Sequence, residues 1–233
     1  MKILKKLFLF VLSIVVILAL AGGYLGVVPG LSSIFGADKA KDLGVINSDE
    51  SFYLANEKMG VSRIGDAGTT SKKILFEDAK PVDKGLSGQE ISSLIAKGEW
   101  KYNPISEGFQ LRINEDNTVE ASGILNRTRL NGYLAVNNLS DVLKYTSKFN
   151  FLPEKVAFYV KGKANIVNNK VNLNLTSAQA GRIPLPTDSG SMKAVENFLE
   201  KRIPTVSGLN IDSLDFNNGK MNFKGAFPSK MSF

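Results

Sequence analysis

The chain opens on its longest apolar run: after the basic stretch ending at Lys5-Lys6, no charged residue occurs from Leu7 until Asp38. As a helix rising 1.5 Å per residue, the 22 residues from Leu7 to Val28 would span about 33 Å, close to the hydrocarbon thickness of a bilayer. Lysines at 2, 5 and 6, followed by a large polar domain, predict an N-terminus inside and the remainder translocated. The competing reading is a signal peptide cleaved near Ala21, because Ala19-Leu20-Ala21 precedes Gly22. The apolar run continues past that point through Tyr24, Leu25, Val27 and Val28, which favours an uncleaved anchor. The expected division is a cytoplasmic tail at 1–6, a transmembrane anchor at 7–28, a juxtamembrane connector at 29–47 with lysines near headgroups, and an extracytoplasmic domain at 48–233. Gly22 and Gly26 have small-xxx-small spacing for a helix contact, or are simply tolerated near the end of a span, the reading preferred here.

Beyond the connector the pattern alternates between periods. Ser48 before DESFYLANEKMG predicts a short helix closed by Gly60. A loop through Gly65, Gly68 and Thr70 follows, and then a strand, KKILFEDAK. Ser87-Gly88-Gln89-Glu90 has the capping-box form and starts a helix whose Ile91, Leu94 and Ile95 need a sheet to cover them. From Phe109 the period becomes two: Phe109, Leu111 and Ile113 alternate with Gln110, Arg112 and Asn114, and TVEASGIL returns as the second strand of a hairpin. LNGYLAV reads as an extension of this sheet, and Ser140 caps a short helix to Lys148. KVAFYVKGKANIV and KVNLNLTSAQAGRI form the longest alternating pair, joined by Asn168-Asn169. Met192, Val195, Leu199 and Ile203 then mark an apolar helical stripe expected to lie on the sheet. LNIDSLDF and KMNFKGAF make a last hairpin around Asn217-Asn218-Gly219. The fold class is α+β: an N-terminal transmembrane helix, then one domain with a curved, mainly antiparallel sheet packed on amphipathic helices.

Composition narrows the chemistry. With 43% hydrophobic and 22% charged residues the chain is an ordinary folding sequence. The net charge of +7 falls to +4 without the three N-terminal lysines, and the remaining basic residues are scattered, so no nucleic-acid partner is expected. Cysteine and histidine are both absent, which removes disulfides, thiolate nucleophiles, Cys-rich zinc sites and the usual neutral-pH base. Carboxylate pairs or a Ser-Lys dyad would still permit hydrolysis, yet no local pattern marks either, so no enzyme, cofactor or metal site is expected. Asn114 to Asn117 carry oxygen ligands of the kind calcium takes but lack the twelve-residue loop, and read as a turn. The sequons at Asn126, Asn138 and Asn174 are frequent by chance in an Asn-rich chain.

The C-terminal half, from the long hairpin through SAQAGRIPLP and AVENFLEKRIP to LNIDSLDFNNGKMNFKGAFPSKM, resembles small bacterial membrane-anchored proteins of the YpmS type. More distantly it resembles the tubular lipid-binding (TULIP) superfamily; the match covers about residues 85 to 230, plus the same N-terminal anchor. The resemblance implies a curved sheet wrapped round a helix, with a groove able to take an acyl chain and no catalysis. Candidate groove residues from the apolar pattern are Val171, Leu173, Leu175, Ile183, Leu185, Leu199 and Ile203, for which a filled core is the competing reading. Arg182 is a headgroup candidate, or else a solvated charge. Trp100 with Tyr102 reads as an interfacial pair or as packing against the preceding helix. The expected partners are the membrane bilayer, a lipid ligand and an envelope protein. The functional readings are lipid handling, an envelope assembly or interaction factor with a filled core, and a histidine-free hydrolase.

Overall fold

A computed structural model describes residues 2–65, 73–98, 100–139 and 153–233, with the side chains of 2–10 and 106 outside the description. The elements run α1 (Lys2–Leu25), α2 (Leu31–Ile34), α3 (Asp49–Met59), β1 (Ser62–Ile64), β2 (Leu75–Ser87), α4 (Gly88–Ala96), β3 (Ile105–Ile113), β4 (Val119–Asn126) and α5 (Arg127–Val136). They continue with β5 (Lys155–Val167), β6 (Lys170–Ala180), β7 (Ile183–Pro184), α6 (Ser189–Arg202), β8 (Asn210–Asn217) and β9 (Lys220–Ser232). The fold is α+β, with nine strands in one open sheet among the described residues. The sheet is mixed because β1 runs parallel to β9, while every other pairing among the described residues is antiparallel.

The sheet is forked. One branch carries β2 on one edge of β9 and β8 on the other, and the second is the meander β3-β4-β5-β6-β7. They meet where Ile166 and Val167 of β5 pair with Leu214 and Ser213 of β8. The connecting turn, Asn168-Asn169, holds both residues at positive φ (50° and 63°), the conformation that asparagine tolerates. Its backbone N–H groups donate to Asp212 and Ile211 carbonyls at 2.9 Å, and Ile211 N–H donates back to Asn169 Oδ1 at 2.8 Å. On β5, Gly162 sits at a bulge where a Cβ would lie 2.3 Å from the Asn174 carbonyl oxygen, so a side chain there would break the β5–β6 contact.

Two helices pack against the sheet. Ala55 and Met59 of α3 and Ile91 of α4 bury against Val82, Leu86, Val171, Ile211 and Phe223 from both branches of the sheet. The capping box forms: Ser87 Oγ accepts from Glu90 N–H at 3.2 Å, and Glu90 Oε2 accepts from Ser87 N–H at 2.7 Å. Glu90 Oε1 also receives Lys58 of α3 at 2.5 Å. Two fully buried serines complete the join. Ser92 Oγ accepts the Leu111 N–H at 2.7 Å while donating to Gly88 O at 2.6 Å, and Ser93 Oγ accepts the Ser48 N–H at 3.1 Å.

Several expectations change. LNGYLAV forms α5, because Asn126 at the end of β4 caps it by accepting the Arg129 N–H at 2.8 Å and the chain turns into a helix at once. The expected helix at Ser140 to Lys148, and part of the loop after Gly65, lie outside the described residues. The second strand, expected to end at Lys80, runs on to Ser87 through Pro81, which is tolerated because β2 is an edge strand. Helix α6 does not lay its apolar stripe on the sheet: Met192 and Ile203 are buried, but Val195 and Leu199 are exposed. It meets the edge of β6 through carboxylates instead. Glu196 Oε1 accepts the Leu173 N–H at 2.8 Å and Glu200 Oε1 the Val171 N–H at 3.1 Å, which satisfies donors that an edge strand would otherwise present to another chain.

Helix α1 ends at Leu25 and not at Val28. Gly26, at φ +91°, makes a left-handed close in which Val27 N–H reaches Gly22 O at 2.9 Å and Gly26 N–H reaches Gly23 O at 3.1 Å. Among the described residues no helix is long and apolar enough to cross a membrane, and the expected span at 7–28 begins among side chains outside the description. The connector is bound to the domain: Leu43 is buried, and the N–H groups of Lys41 and Leu43 donate to Ser122 Oγ at 2.7 Å and Gln110 Oε1 at 2.6 Å.

Replacing the buried Ser92 by Ala leaves the Leu111 N–H without its acceptor, and equilibrium urea unfolding should show a loss of about 1–3 kcal/mol. The same change at exposed Ser189, the first residue of α6, should cost less than about 0.5 kcal/mol.

Candidate functional site

Past Ile91 the apolar face of α4 continues into Leu94 and Ile95, which face a cavity of about 260 Å³. Asn103 fixes the loop that leaves the helix: its Nδ2 donates to the Ile95 and Gly98 carbonyls at 3.2 Å, and its Oδ1 accepts the Ile105 N–H at 3.1 Å. That loop carries Trp100, which lines the cavity and stands edge-on to Tyr102 at 5.7 Å and to Tyr133 of α5 at 5.9 Å. Met231 and Phe233 also line it. Tyr133 is steadied from α6, where Arg202 Nε donates to its hydroxyl at 3.1 Å and Arg202 Nη2 to Asn137 Oδ1 at 2.6 Å. Half-exposed Ile64 and Leu75 flank Ser232 on its two sides, so the strand ends beside the cavity are apolar too.

Among the described residues one cation lines this cavity. The Arg63 guanidinium lies 4.7 Å above the Phe52 ring, and its Nε donates to Asn56 Oδ1 at 3.3 Å. Burial pulls its pKa below the ordinary arginine value, so partial desolvation makes an anionic partner favourable there.

The groove candidates do not converge on this cavity. Val171 and Ile203 belong to the buried core, and Leu173 packs on it while also lining a separate cleft. Leu175, Ile183 and Leu185 are half-buried along β6, β7 and the residue after it, and Leu199 is exposed on α6. Arg182 is seated at the end of α1. Its N–H donates to Leu25 O at 3.1 Å, its Nη2 to Phe35 O at 2.6 Å, and its guanidinium lies 4.4 Å over the Tyr24 ring. Asn114 to Asn117 form the β3–β4 turn, with Asn117 at φ +61°.

The polar positions of β3, β4 and β5 hold a feature that alternation alone presents as a wet face. Arg112, Glu120 and Lys161 lie in one cross-strand row, and Gln110, Ser122 and Tyr159 in the next. Glu120 is buried, with its side chain 4% exposed. It accepts from Arg112 Nη2 at 2.7 Å, Asn114 Nδ2 at 3.1 Å and the Tyr159 hydroxyl at 2.6 Å. Lys41 of the connector approaches it to 3.7 Å while lying 3.9 Å over the Tyr159 ring. Burial would raise the Glu120 pKa, but the hydrogen bonds from Tyr159, Arg112 and Asn114 outweigh it and hold the carboxyl at about 2. Burial and the bond to Glu120 push the Tyr159 hydroxyl up to about 12. A carboxylate so firmly ionised is a poor proton donor at neutral pH; this layer fastens the connector to the sheet. Its sequence signal was an acid facing an Arg across a two-residue-period hairpin.

No family model, curated protein or solved structure matches the chain.

The charged layer sets a pH profile. Glu120, depressed in the folded state, contributes stability above the ordinary carboxylate range that disappears as pH falls through about 2. Tyr159, raised in the folded state, contributes stability below the ordinary tyrosine value that disappears as pH rises through about 12. Glu120→Gln should cost on the order of 2 kcal/mol at pH 7, after allowance for screening of its exposed basic partners, and flatten the acid limb of a stability–pH curve from thermal melts. Tyr159→Phe should flatten the alkaline limb.

Proposed function

We propose that the chain is a non-enzymatic protein anchored in a cell membrane by its N-terminal segment. Its domain stands outside the cytoplasm and takes a lipid or other apolar ligand between the curved sheet and its helices. The cavity of about 260 Å³ bounded by Leu94, Ile95, Trp100, Tyr133, Met231 and Phe233 carries this reading. Ligand pockets run from about 300 to 1,000 Å³, so a site of this size suits one stretch of acyl chain better than a whole phospholipid. Arg63 supplies the complement to an acidic end. The uncharged run from Leu7 supports the anchor, and the contact of Arg182 with Leu25 O would seat the domain at the bilayer surface. The resemblance of the C-terminal half to YpmS-type and tubular lipid-binding proteins points the same way, although the pocket lies at the far end of α4 and not along β6. A second reading, an envelope assembly or interaction factor, is favoured by the exposed Val195 and Leu199 on α6.

Trp100 is the single tryptophan of the chain and lines the proposed site. Titration of the purified full chain with a brominated fatty acid should quench its fluorescence saturably, near one ligand per chain, and native mass spectrometry after lipid extraction should show the adduct. Met231→Glu should abolish the saturable quenching. Linear quenching that is identical in the variant, with no adduct by mass, would sink lipid binding and favour the assembly reading.

A further inference from the structure

A second cleft lies where the sheet forks. β4 accompanies β5 only as far as the Val119–Gly162 pair, and β8 joins the same edge only at Ile166, so Lys163, Ala164 and Asn165 face an opening of about 330 Å³. Its walls are rich in carboxamides. Asn165 and Asn172 are directly paired across β5 and β6, Asn174 is paired with Lys163, and Asn117 reaches the cleft from the β3–β4 turn. All four asparagines are exposed, and among the described residues none of their side-chain amides has a hydrogen-bond partner. Asp215 is held differently: Oδ1 accepts from Asn217 Nδ2 at 2.6 Å and Asn222 Nδ2 at 2.9 Å, which leaves Oδ2 unengaged. Phe216 adds an aromatic ring to the lining.

We propose that this amide-lined cleft at the fork is a carbohydrate-binding site for a neutral oligosaccharide. Each carboxamide offers a donor pair and an acceptor in one plane, the spacing that vicinal hydroxyls of a pyranose ring match, and an oriented carboxylate accepts two such hydroxyls. One lysine and one aspartate leave the lining without net charge, which disfavours a phosphate or polyanionic ligand and favours a neutral one. The volume suits one or two sugar rings, and the polar row along β6 continues to Thr176, whose hydroxyl donates to Lys161 O at 3.2 Å, so a longer chain would lie along the strand.

The test uses the full chain with three probes: tetrasaccharides of N-acetylglucosamine, of α-1,4-linked glucose and of β-1,4-linked glucose. Isothermal titration should give saturable binding to at least one of them. In the exposed double variant Asn172→Ala/Asn174→Ala the affinity should fall by at least about tenfold at unchanged melting temperature. The Trp100 response to the brominated fatty acid should stay as in the parent chain. No saturable heat with any probe up to about 10 mM, or equal affinity in the double variant, would overturn the proposal.

Discussion

Everything else in the domain depends on the joint between the β5–β6 hairpin and β8. Two ladder pairs and the hydrogen bonds of Asn168 and Asn169 unite two branches that otherwise share only the core beneath them. That core is built from both: Val171 comes from one branch, while Val82, Ile211 and Phe223 come from the other. If the joint opened, α3 and α4 would lose the apolar cover that Val171 supplies, so the left-handed asparagine pair is a structural requirement and not a decoration of the turn. The joint also creates the fork, because β5 is longer than β4 and reaches past it to β8.

Around this core, polar side chains perform joining tasks that apolar packing cannot. Ser92 and Ser93 fasten α4 to β3 and to the start of α3. Glu196 and Glu200 cover the edge of β6. Hydrogen bonds from the Leu173 N–H and from Lys193 hold Glu196 below the ordinary carboxylate range, and those from Lys170 and the Val171 N–H do the same for Glu200. Glu120 gathers Arg112, Asn114, Tyr159 and Lys41 into one layer. In each case a buried or edge-facing donor is matched by a side-chain acceptor placed by register, which is how a small domain keeps its backbone satisfied where strands end or meet helices.

The period-two segments were legible from sequence: β5 lies on the expected residues, the Asn-Asn and Asn-Gly turns form, and the capping box at Ser87 starts α4. What escaped was decided by single side chains or by distant parts of the chain. Asn126 turned an apparent strand into α5, a local capping signal that could have been read. Strand β1 is three residues long and exists because β9 offers it an edge, which no local pattern announces. The α6 stripe misled because Glu196 and Glu200 bind backbone amides, so the helix turns these carboxylates and not Val195 and Leu199 to the sheet. The apolar cavity collects residues separated by more than a hundred positions, from Arg63 to Phe233, and of these only Leu94 and Ile95, as a helix face needing cover, and Trp100 carried a signal in the sequence. Glu120 was hidden because alternation marks a polar face without showing that the connector covers it.

The seating of Arg182 on the end of α1, together with the binding of residues 41 to 43 to the sheet, has a mechanical meaning. A flexible linker would let the domain sweep a hemisphere above its attachment point. If α1 is the anchor proposed above, it acts as a post that gives the domain a set height and heading, and its rotation or tilt would be transmitted to the sheet as a rigid motion. Both clefts would then hold fixed azimuths around that post, and whatever reaches them must arrive from particular directions.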